Sequence, residues 1–118
     1  MALIPAFDRF EAGWAEGRNQ LVHTRLAADL DTPVSVMMKL ADAGRDSFIL
    51  ESVTGGEVRG RYSIIGLKPD LIWECRGDES RLNRDARFDR EAFQPCAEPP
   101  LTAIRSLLAE SAIDMPED

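Results

Sequence analysis

The chain has 118 residues, 44% of them apolar and 30% charged, the balance of a globular protein rather than a disordered one. Its formal charge of -7 comes from acidic and basic residues mixed along the whole length, without the basic stripe that a nucleic-acid partner requires. No apolar run approaches the ~20 residues of a membrane span, and the opening MALIPAFDRFEAGW lacks the basic and apolar regions of a signal peptide. Cys75, Cys96 and the single His23 make neither a zinc set nor a disulfide framework, so the thiols read as structural ones of a cytoplasmic protein.

The first segment, Pro5 to Arg18, carries Phe7, Phe10 and Trp14 at helical spacing, with Pro5 suited to a first turn that needs no N–H. LVHTRLAADL, Leu21 to Leu30, alternates as a strand, with His23 as an ordinary half-exposed strand residue. A second helix follows. Asp31 or Thr32 can cap it, Pro33 fits its first turn, and Gly44 can end it. Val34, Met37, Met38 and Ala41 form its apolar stripe, which reads as core filling.

Three strands are predicted next, Ser47–Val53, Arg61–Leu67 and Leu71–Arg76, each rich in β-branched or aromatic residues and punctuated by Gly or Pro. Their short connections predict an antiparallel meander. GDESRLNRDARFD reads as a polar turn and one further strand, and EPPLTAIRSLLAESA as a last helix with Leu101, Ile104, Leu107 and Leu108 inward. The class is α+β, a mainly antiparallel sheet with flanking helices. A chain of this length buries roughly two-thirds of its unfolded surface, which predicts a sizeable core.

The first predicted strand is unusual at its end. Phe48, Ile49 and Leu50 place apolar groups on both faces, and then Glu51 and Ser52 arrive. A carboxylate at the rim of a core needs a cation or hydrogen-bond donors. Arg59 or Arg61 could supply the cation from within the chain. Alternatively the partner is the ammonium of an amino acid ligand, with the Ser52 hydroxyl and the Tyr62 ring close by in sequence. The Gly55–Gly56 pair precedes a strand instead of a helix, so it reads as a turn and not as a phosphate cradle. No catalytic constellation stands on the chain.

Three features between Thr32 and Asp70 belong together: TPVSV opening a helix, ILES ending a strand, and GRYSIIG after a glycine-containing stretch. In this combination the chain resembles the N-terminal region of anthranilate synthase component I, the large subunit of that enzyme. The resemblance implies a 1–118 scaffold and regulatory segment of a longer polypeptide, within the larger architecture of chorismate-utilising enzymes. The parent would convert chorismate and ammonia to anthranilate and pyruvate. A glutamine amidotransferase subunit would supply the ammonia, and Mg2+ would bind through residues that this chain lacks. The 118 residues alone would be inactive, with exposed edges that favour self-association. The resemblance also implies that Leu50, Glu51 and Ser52 help form a site for tryptophan as inhibitor, Ser52 foremost, with Tyr62 and Ser63 beside them. Two other readings stay open at this point: aminodeoxychorismate synthase component I, and an amino acid-binding module without catalysis.

Overall fold

A computed structural model describes residues 2–42, 46–51 and 62–113. Among these residues it is an α+β protein with three helices and five strands, the strands in two antiparallel sheets. Two compact units divide the chain, Met1–Ala27 with Ala97–Asp118, and Ala28–Cys96.

In the first unit, α1 (Phe7–Ala15) starts two residues after Pro5 and ends as Gly17 takes a φ of 68°. Its buried residue is Gly13, while Trp14 is 72% exposed and stacks on Phe10. The reason is Gln20. Its side-chain amide lies where a Cβ on Gly13 would be, and its Nε2 donates to the Phe10 carbonyl at 2.9 Å. The predicted Leu21–Leu30 strand shrinks to one bridge, in which Ile4 and His23 exchange two backbone hydrogen bonds. A strand persists only where a neighbour supplies partners, and the rest of this segment has none in a sheet. His23 is half-buried. The last helix, α3 (Pro100–Glu110), turns Ala103, Ile104 and Leu107 inward and leaves Leu101 and Leu108 exposed, a narrower face than the apolar pattern predicts. Asn19 Nδ2 donates to the Ala112 carbonyl and ties the unit's two segments together.

The second unit opens with α2 (Pro33–Leu40). Thr32 is its cap: Thr32 Oγ1 accepts from the Ser35 N–H, and Ser35 Oγ accepts from the Thr32 N–H. Asp31 takes a different role, accepting from the Lys39 ammonium and the Ser35 hydroxyl. The helix ends at Leu40, and Gly44 lies outside the described residues. Its half-buried face is Ser35, Val36 and Met37, continued by Ala41; Val34 is exposed and Met38 is 80% exposed. The stripe is thus rotated from the predicted one, since α2 lies against β2 of the small sheet and covers only one flank.

That small sheet pairs β1 (Ser47–Glu51) with β2 (Ser63–Leu67). The second sheet has the order β3 (Ile72–Arg76), β4 (Glu79–Asn83), β5 (Phe93–Pro95). The expected continuous meander breaks between β2 and β3. There Lys68 adopts a left-handed φ of 51° and Pro69 offers no N–H to a ladder. Gly77 supplies the positive φ that the two-residue β3–β4 turn requires. On one face of this sheet Arg81 bonds Glu74 across the strands and lies 4.4 Å over the Phe93 ring. On the other, Ser80 stands between Cys75, its partner on β3, and Cys96, whose N–H bonds the Ser80 carbonyl. Both thiols are free.

The core is smaller than chain length predicts. Among the described residues the one buried apolar side chain is Ala86, and the fully buried side chain is Asn83. Two- and three-stranded sheets with short helices leave most apolar residues half covered. Asn83 does the work of a core group by hydrogen bonding: its Nδ2 donates to the Asp89 carbonyl at 2.7 Å and its Oδ1 accepts from the Asp85 N–H at 2.8 Å. These bonds hold the 84–90 segment against β4.

Asn83→Leu removes both bonds and leaves two backbone groups unpaired, an expected loss of about 2–4 kcal/mol read as a lower urea midpoint. An unchanged midpoint would show that the 84–90 segment is held by other contacts. Asp31 gives a second test. The Lys39 hydrogen bond first, then that of Ser35, holds its carboxyl below the ordinary value of 3.8. A depressed carboxylate stabilises the fold above its unfolded value, and the gain is lost as pH falls through the folded value. Wild type should therefore exceed Asp31→Asn in stability at neutral pH, with the two converging on acidification below the carboxylate range; a gap independent of pH would refute the ion pair.

Candidate functional site

The β1–β2 ladder sets the geometry of the residues that the sequence singles out. Its register pairs Leu50 with Ile64 and Glu51 with Ser63, and Tyr62 immediately precedes β2. Four candidates therefore meet at one end of the ribbon. Ser52 lies outside the described residues, as do Arg59, Arg61 and the Gly55–Gly56 pair.

The four are not on one face. Alternation puts Phe48, Leu50, Ile64 and Gly66 on one side and Ile49, Glu51, Ser63 and Ile65 on the other. Leu50 is 59% and Tyr62 70% exposed, so the apolar side of the ribbon end is open. Glu51 and Ser63 are exposed too. This corrects the expectation of a carboxylate at the rim of a covered strand: Glu51 reaches solvent because neither face of the ribbon end is roofed by described residues. It needs no buried counter-charge. A ligand touching Leu50, Tyr62, Glu51 and Ser63 together has to sit across the ribbon's end, where the two faces meet.

Sequence reasoning named these residues but not the Glu51–Ser63 pairing, which depends on register and leaves no trace in composition or periodicity. It also missed a polar cavity of about 230 Å³ at the other end of β2, lined by Asp42, Asp46, Lys68, Arg87, Phe88 and Arg90. Arg90 and Asp46 form an ion pair there at 3.4 Å. Among the described residues no cluster of three or more His, Cys, Asp or Glu could hold a metal ion. No helix among the described residues is long and apolar enough to cross a membrane.

The chain is similar to synthase polypeptides far longer than itself. Anthranilate synthase component 1 of Cereibacter sphaeroides is 64% identical over 115 residues, which is 98% of this chain and 23% of that protein. The proteins of the same name from Pseudomonas aeruginosa and Synechocystis are 43% identical over 86 residues and 42% over 78, covering 17% and 15% of their lengths. No protein-family model and no solved structure matches the chain. Over nearly its whole length the chain is a relative of anthranilate synthase component 1, as the motifs between Thr32 and Asp70 imply, and it spans about a quarter of the Cereibacter protein.

Proposed function

We propose that this chain is the scaffold and effector-binding segment of an anthranilate synthase component 1. The observation that carries the reading is the 64% identity over 98% of the chain with a protein of that name. The parent enzyme then takes chorismate and ammonia to anthranilate and pyruvate. A glutamine amidotransferase subunit delivers the ammonia, and Mg2+ is held by residues outside this chain. The name shared by the relatives favours anthranilate over the aminodeoxychorismate product.

The effector is tryptophan, and the ribbon end is suited to a zwitterion with a large apolar side chain. Glu51 offers a carboxylate to the ammonium and Ser63 a hydroxyl directly across the ladder. Leu50 and Tyr62 present apolar surface on the opposite side. Ser52 adds a second hydroxyl next to Glu51 in sequence. Ordering an exposed ribbon end around a ligand gives tryptophan differential affinity for two arrangements, and that difference is what an inhibitor requires.

The test uses the full-length parent with chorismate, magnesium and ammonia, following anthranilate fluorescence across a tryptophan titration. Losing the charge-assisted bond in Glu51→Gln should raise the half-inhibiting tryptophan concentration about tenfold or more. Ser52→Phe should act in the same direction, with anthranilate formation without tryptophan retained in both. Inhibition unaltered in both variants would move the effector site elsewhere, and absence of anthranilate from folded wild type would remove the enzyme assignment.

A further inference from the structure

Gly66 closes the GRYSIIG motif, and the effector reading leaves it without a role. In the fold it is the cross-strand partner of Phe48. A Cβ built on Gly66 would stand 2.1 Å from Phe48 Cε1, 2.4 Å from Cζ and 2.7 Å from Cδ1. The phenyl ring thus lies directly on the β2 backbone, in the space that any other residue at position 66 would fill. Its φ is unremarkable, so room for the ring, and not backbone freedom, is what glycine supplies here.

This contact matters because the register of the ribbon is otherwise weakly determined. Register is normally fixed when one face is apolar and the other polar, since a slip by one residue exchanges them. Here the exchange would cost little: Phe48, Leu50 and Ile64 line one face, and Ile49, Ile65 and Leu67 the other. Turn geometry fixes register in tight hairpins, but eleven residues separate Glu51 from Ser63 in sequence. The ring on Gly66 does discriminate. A slip by one residue in either direction sets Phe48 opposite Ile65 or Leu67, whose side chains deny the ring its seat on the backbone.

We propose that Phe48 and Gly66 form a register pin that brings Glu51 opposite Ser63, and are therefore positioning residues for the effector site. The proposal rests on the effector reading for its functional consequence and on the ladder alone for its physical content. Neither residue touches the ligand. Their influence runs through three residues of ladder to the ribbon's end.

A double-mutant cycle in the full-length parent tests it, with Gly66→Ala, Phe48→Leu and the pair. Each single variant should raise the half-inhibiting tryptophan concentration about threefold to tenfold, within the usual range for coupled neighbours, with the KM for chorismate unchanged. In the Phe48→Leu background Gly66→Ala should have little further effect, because the ring it displaces is already gone. The stability cycle carries a sharper sign: Gly66→Ala lowers the urea midpoint in wild type, and leaves it unchanged or raises it once Phe48 is leucine, as alanine suits a strand better than glycine. Effects of the two substitutions that multiply independently would overturn the proposal, as would Gly66→Ala indistinguishable from wild type. If wild type itself ignores tryptophan, the effector reading fails, and the sign reversal in the urea midpoint still decides the pin.

Discussion

The antiparallel ladder between β1 and β2 is the constraint on which the candidate site depends. It converts two separate sequence motifs, ILES and GRYSIIG, into one object by setting Ser47 against Leu67 and, four pairs on, Glu51 against Ser63. Backbone hydrogen bonds supply the pairing, but they are indifferent to which residue stands opposite which. Side chains make that choice, and at this ladder the aromatic ring lying on a glycine is the contact with the strongest preference. The helix beside it is fixed from its own end: a reciprocal Thr32–Ser35 cap starts α2 where Pro33 permits, so that Val36 and Met37 turn toward cover.

Away from that ladder the fold is held by polar contacts more than by a packed interior. Asn83 is fully buried and satisfied at both ends of its amide, and Gln20 lies on Gly13 while bonding a helix carbonyl. Such contacts are directional, so they specify local shape well. They contribute little bulk stabilisation, which comes mainly from apolar area removed from water. Exposed Phe7, Trp14, Leu26, Met38, Leu101 and Leu108 represent that unused area.

The elements that could be read from sequence are those whose signal is local. The Thr32–Pro33 start of α2, the β-branched runs of β1 to β3 and the proline-led α3 all depend on residues within a turn or two of each other. What required neighbours was not legible. Leu21–Leu30 has the alternation of a strand but finds a single bridge, and β5 is three residues long, too short to show a period. The apolar stripes of α2 and α3 were visible, yet which side of each stripe became covered depended on the partner and not on the pattern. For the site the division is the same. Glu51, Leu50, Tyr62 and Ser63 were named from motif, whereas their split across two faces follows from register alone.

The row Cys75–Ser80–Cys96 keeps the two thiols apart by the width of β4. Adjacent strands lie about 4.8 Å apart, so two thiols separated by a whole strand stand roughly 10 Å apart at their Cα atoms, beyond the ~7 Å limit for a disulfide. An oxidant cannot close this pair without dismantling β4. Cys75 is exposed while Cys96 is half-buried, so a maleimide dye reaches β3 more readily than the segment after β5. The chain thus carries a native attachment point for a fluorescent reporter, on a sheet separate from the ribbon proposed to bind the effector.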